Sequence, residues 1–190
     1  MLPTIKKLWD AVWALLPDNQ YSCRISEVNV ISQEVIFHII NKNVFLKCLL
    51  SDAISNLSII NALGPSEACW LGGHFGKTLG ETLERSSAIK KAKSMSFLLK
   101  NKRGSYRIVF QNRNGEIGYC NQKTKQEFIE HPFTIAANEY IVSCFDPSQA
   151  CYIGILAGIS MEKIKNHDKK TGENDWEILF NKRPLLRMVE

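Results

Sequence analysis

The sequence predicts an α+β protein made of two fused β-β-β-α units behind an N-terminal amphipathic helix. Three observations point there. The segment Pro65-Ser66-Glu67-Ala68-Cys69-Trp70-Leu71-Gly72-Gly73-His74-Phe75-Gly76 returns as Pro147-Ser148-Gln149-Ala150-Cys151-Tyr152-Ile153-Gly154-Ile155-Leu156-Ala157-Gly158, with Pro, Ser, Ala, Cys and two Gly at identical spacing. Upstream of each copy, two apolar, β-branched runs flank an Asn-rich turn, the pattern of a hairpin. Each repeated segment also opens with a helix start signal. The expected division is 1–19 for the N-terminal helix, 20–93 and 94–165 for the two units, and 166–190 for a C-terminal strand and basic tail. The 190 residues, 45% of them hydrophobic, suit one domain or two fused modules.

Taken in order, Ile5, Leu8, Trp9, Val12, Trp13 and Leu16 fall at helical spacing, so the N-terminal stretch reads as an amphipathic helix docked on the body. Asp10 interrupts its apolar run and no small-x-small site follows, which argues against a targeting peptide. A first strand is expected at Arg24–Val30. Glu34 to Ile40 and Val44 to Cys48 then flank Asn41-Lys42-Asn43 as a hairpin, followed by a short helical turn near Asp52–Asn56 and the divergent stretch Leu57 to Leu63.

In the second unit a strand is expected at Met95–Lys100. Tyr106 to Gln111 and Glu116 to Cys120 flank Asn112-Arg113-Asn114-Gly115 as the hairpin equivalent to 34–48. On that register the second unit carries an insertion of about ten residues within Lys123 to Phe145, including a helical turn near Lys125–His131. Trp176–Phe180 closes the chain as a strand before Lys182-Arg183-Pro184-Leu185-Leu186-Arg187.

The repeated helices start at Gly64-Pro65-Ser66-Glu67 and Asp146-Pro147-Ser148-Gln149, with a cap residue, Pro at the first helical position and Glu or Gln two residues after it. Ala68, Gly72 and Gly76, and likewise Ala150, Gly154 and Gly158, lie four apart on one face. Interior glycines cost roughly 1 kcal/mol each against Ala, so a close backbone contact is expected to offset them, helix on helix or helix on sheet.

Several chemistries have weaker support in the residues. Cys69-Trp70 and Cys151-Tyr152 resemble the Cys-aromatic pair that opens the nucleophile helix of papain-like proteases, with His131 and Asn138 downstream. That resemblance implies a cysteine hydrolase. The competing reading is that a cysteine repeated in both units is a small packing residue, about a turn inside its helix where the amide field is mostly spent. His38, His74, His131 and His167 are scattered, and Cys144 to Cys151 is too wide for a zinc knuckle, so no metal site is expected. His38, in an apolar strand, reads as a hydrogen-bonded structural histidine. No Gly-Lys-Ser/Thr follows the glycines, which excludes a phosphate loop, and no cofactor is expected. No apolar run approaches the length of a membrane span. Six cysteines without a C-x-x-C pair fit a reducing cytoplasm.

The strongest functional signal is electrostatic. Against a net charge of +5, the stretch from Arg85 to Gly115 holds Arg85, Lys90, Lys91, Lys93, Lys100, Lys102, Arg103, Arg107 and Arg113 and no acidic residue, which leaves the remainder of the chain net acidic. Phe97, Tyr106 and Phe110 interleave with these bases. The sequence therefore leads to a non-enzymatic cytoplasmic adaptor or regulatory module that binds another macromolecule through its divergent loops or its basic face. A protein partner is expected, with Trp9 and Trp13 as apolar anchors; a nucleic-acid-binding regulator using 85–113 is the alternative, and a papain-like cysteine hydrolase built on Cys69 and His131 the outsider.

Overall fold

In Glu34–Ile39 the side chains of Val35, Phe37 and Ile39 alternate with Glu34, Ile36 and His38, and the period of two decides the first layer: the former three are fully buried. The computed structural model describes residues 22–29, 31–100, 103–112 and 115–171, with the backbone alone from 162 onward. The strands β1 (Cys23–Asn29), β2 (Glu34–Ile39) and β3 (Val44–Leu49) form an antiparallel sheet in the order β1-β2-β3. Two short helices follow, α1 (Leu50–Ser55) and α2 (Leu57–Ala62), and then the long α3 (Pro65–Thr82). Helix α4 (Arg85–Ser94) and a 3₁₀ turn, Ser96–Leu99, lead to a second antiparallel sheet of β4 (Tyr106–Gln111), β5 (Ile117–Asn121) and β6 (Glu127–Glu130), in the order β4-β5-β6. Short helices α5 (Pro132–Ala137) and α6 (Glu139–Ser143) then precede α7 (Pro147–Thr171).

The glycine faces foreseen in the sequence are where the molecule closes. Helices α3 and α7 make the most extensive contact between any two elements. A Cβ at Gly72 would run into the backbone of Cys151 and lie 3.1 Å from the Ile155 nitrogen; one at Gly154 would run into the Cys69 carbonyl and lie 2.9 Å from the Gly73 nitrogen. Gly76 meets Ile155 and Gly158 meets Gly73 in the same way. Partners climb together along both chains, so the helices run parallel, backbone on backbone. Helix α7 is the hub, since α2, α4, α5 and the 3₁₀ turn all pack against it as well. Ala150, Cys151, Ile153, Ile155 and Ala157 are fully buried there.

Both sheets are tied to the start of a long helix by one device. β1 carries a bulge between Ile25 and Glu27, and the Ile25 amide donates to Glu67 Oε1 at 3.2 Å. β4 carries a bulge between Ile108 and Phe110, and the Ile108 amide donates to Gln149 Oε1 at 2.7 Å. In each case the Glu or Gln of the helix start reaches out to satisfy a strand amide beside an irregularity in the ladder.

Several expectations need correction. Met95–Lys100 is not a strand. Leu98 is fully buried, and the run winds as a 3₁₀ turn because its apolar side chains pack down onto α7. Lys125–His131 is not helical: Lys125 takes a left-handed turn conformation (φ 61°), and Glu127–Glu130 forms β6. The proposed equivalence of 34–48 with 106–120 also fails, because Glu34–Ile39 is the central strand of its sheet while Tyr106–Gln111 is an edge strand. Counting from the first strand in each sheet removes the ten-residue insertion, since α1 and α2 then stand opposite α5 and α6. The N-terminal helix at 1–19, with Trp9 and Trp13, and the strand at Trp176–Phe180 with its basic tail lie outside the described residues.

Candidate interaction surface

The basic stretch is not one continuous structure. Arg85, Lys90, Lys91 and Lys93 ride on α4, all exposed, while Ala88 and Ala92 on its other side are fully buried. A helix of Ala, Ser and Lys is a good helix former that needs only a narrow apolar stripe to dock, and its long cationic side chains fan over the solvent side. Lys91 and Lys93 fall in the last turn, where a cation is favoured by the exposed carbonyls. Lys100 and Arg103 are exposed on the chain between the 3₁₀ turn and β4, and Arg107 is exposed on β4 itself. Lys102 and Arg113 lie outside the described residues.

Of the aromatics interleaved with these charges, two belong to the interior. Phe97 is half-buried against the core, and Tyr106 packs inward among Tyr119, Phe128 and Phe145 with ring centroids 5.4, 5.9 and 5.8 Å away. Phe110 is different. Strict alternation after Tyr106 and Ile108 would turn it inward, but the bulge at Val109 adds a residue and reverses its direction. Its ring, 44% exposed, lies on the outer face of the sheet against Gly118, where any side chain would collide with it. Ile129 pairs with Gly118 on the far strand and is exposed, as is Val109. Arg107, Cys120 and Glu127 form the neighbouring row across the three strands. The outer face of the second sheet is thus an aromatic and aliphatic saddle with an arginine on the β4 side. Sequence reasoning named Arg107 and Phe110 but missed Val109 and Ile129; the alternation of Glu127-Phe128-Ile129-Glu130 is the signal that would have placed Ile129 on a strand face.

The two repeated thiols and the histidines at 38, 74 and 131 take structural places. Cys69 and Cys151 are buried in the α3–α7 interface, and burial pushes the Cys69 thiol up to about 12 and that of Cys151 well above its ordinary value. A nucleophile needs the opposite shift. His131, the base that the hydrolase reading requires, accepts the Phe133 amide through Nδ1 at 3.3 Å and caps α5. His38 shares a 3.0 Å hydrogen bond with Asn43 and stacks on Phe45 at 4.7 Å. His74 is edge-on to Trp70 at 4.4 Å, and burial, with Lys77 nearby, lowers its pKa to about 4, so it is neutral at physiological pH. Among the described residues no three His, Cys, Asp or Glu side chains are grouped to hold a metal ion. Nor is any described helix long and apolar enough to cross a membrane.

Comparison of the chain with protein-family models, with curated proteins and with solved structures finds no match.

Proposed function

We propose that this chain is a non-enzymatic adaptor or regulatory module of the cytoplasm, grown from two copies of one β-β-β-α unit, and that it grips an acidic protein partner with its basic face. The observation that carries this reading is the outer face of the second sheet. There Phe110, Val109 and Ile129 are left in solvent next to Arg107, on a chain whose segment from Arg85 to Arg113 contains no carboxylate. An exposed aromatic beside an arginine is the composition of an interface centre, and α4 offers further cations to draw an anionic surface in. Helical glycines consumed in packing and buried thiols with raised pKa values support a structural rather than a catalytic use of the repeated segments. Six free cysteines suit a reducing compartment.

One feature favours nucleic acid as the second reading: the Phe110 ring lies on a glycine of a three-stranded sheet, a platform on which an unpaired base could stack beside Arg107. Isolation of the full chain from native cells at low salt, with the bound species identified, tests both. The adaptor reading expects a co-purifying acidic protein whose binding falls at least about tenfold on Phe110→Ala or Arg107→Glu. Binding to single-stranded RNA or DNA with a log–log salt slope near −0.7 per phosphate contact, flattened by reversal of Lys90, Lys91 and Lys93, would replace it with the nucleic-acid reading. Retention of a protein partner by both variants would refute the assigned face.

A further inference from the structure

Among the described residues the four edges of the two sheets are not equally protected. β1 and β4 are each broken by a bulge, and β6 has four residues bracketed by Glu127 and Glu130. Bulges, short length and charge are the usual protections against pairing with another strand. β3 has neither bulge nor shortness, and its one charge is paired within its own sheet. Its six residues pair with β2 in unbroken register, and among the described residues its other side pairs with no strand.

This edge also collects exposed apolar side chains. Phe45 is 59% exposed and Leu49 48%, with Val44 and Ile40 also in solvent. The one charge on the strand, Lys47, is held across its own sheet by Glu34 at 2.8 Å. The strand is flanked by opposite charges: exposed Lys42 stands just before it and exposed Asp52 just after it, and neither makes an ion pair among the described residues.

We propose that two copies of this chain pair edge to edge through β3, antiparallel about Leu46, to make one six-stranded sheet. The register follows from the side chains. Strand neighbours must share a face, so the two-fold axis passes through a residue rather than between two. An axis at Lys47 would set two ammonium groups opposite one another, whereas an axis at Leu46 sets Phe45 of one copy opposite Lys47 of the other on the outer face, and Val44 opposite Cys48 on the inner. The ammonium then approaches an aromatic ring. On this register Lys42 of each copy stands opposite Leu50 of the other, two residues from Asp52, so the charges that flank the strand approach one another twice.

Sedimentation of the full chain over a concentration series decides it. A concentration-dependent dimer is expected. Lys42→Asp or Asp52→Lys alone weakens it by about tenfold, because both symmetric contacts turn repulsive, and the combined K42D/D52K exchange restores it. Phe45→Lys, an exposed position, abolishes it. Should Phe45→Lys fold poorly, the charge exchange still decides, since both of its sites are on the surface. A monomer at every concentration up to about 1 mM, the weak end of the affinity range, would overturn the proposal, as would a dimer indifferent to the charge reversals.

Discussion

The first half of the chain, from β1 to α3, and the second, from β4 to α7, solve one problem with different chemistry. Each must supply a hydrogen-bond acceptor to a strand amide stranded beside a bulge, and each does so from the third residue of its long helix. The first uses a carboxylate, Glu67, and the second an amide, Gln149. The carboxylate sits where its charge is unwelcome. Burial raises the pKa of Glu67, with the Ile25 and Gly64 amides and the Arg24 charge only partly offsetting it. Gln149 is fully buried and has no charge to lose. The capping residues differ too: Gly64 offers no side chain, whereas buried Asp146 accepts from the Ser148 and Gln149 amides through Oδ1 at 3.0 and 3.1 Å. Geometry is held in common by the two halves, and the electrostatic cost of holding it is not.

The sharpest way to break the comparison is at the crossing of the helices, where the halves are most alike. Gly72→Leu and Gly154→Leu should each destabilise by about 3 kcal/mol or more, because a side chain there meets backbone that has no room to yield. Urea unfolding should give similar losses for the two. A wild-type midpoint in either variant would show that the close approach is not required.

At the bulges the halves should part. Gln149→Ala leaves the buried Ile108 amide unpaired and should cost about 1–3 kcal/mol, while Glu67→Ala should cost less, because it also removes a poorly solvated charge. Glu67→Gln sharpens the contrast through pH. A carboxyl whose pKa is raised on folding contributes stability that is fully present below its unfolded value and is lost as pH rises through its folded value. Glu67→Gln should therefore raise the melting temperature at pH 7 relative to wild type, and the gap should close as the pH is lowered towards 4. A constant gap across that range would assign the effect to shape rather than charge.

The smallest difference is in the caps. Gly64→Asn gives the first helix a side-chain acceptor like that of the second, at a backbone position (φ −68°) with room for a Cβ. A gain of a few tenths of a kcal/mol is expected, visible as a small rise in melting temperature.

The class of fold and the helical glycine faces were legible in the sequence because they rest on local signals: a proline and an acceptor fix a helix start, and glycines four apart mark a face. Strand identity was harder to read. Met95-Ser96-Phe97-Leu98-Leu99 is apolar without periodicity, and only its packing against α7 decides that it winds as a 3₁₀ turn. The hairpin at Tyr106 resembles the one at Glu34 because any Asn-rich turn between apolar runs looks alike, whereas the order of strands in a sheet is set by pairing. In the candidate site, the charges of α4 were evident from composition. The outward turn of Phe110 was not, since it depends on one extra residue at Val109 that breaks an otherwise regular alternation.

Because α3 and α7 run parallel, their peptide dipoles point the same way and do not cancel as those of antiparallel neighbours would. Each helix start carries the equivalent of roughly half a positive charge, and the contacts of Cys69 with Gly154 and of Gly72 with Cys151 bring the two starts together. The carboxyls of Glu67 and Asp146 belong to those same first turns. Burial alone makes them misfits. Burial raises the pKa of both, so they answer the two aligned positive ends chiefly through the amide hydrogen bonds they accept rather than through a full counter-charge.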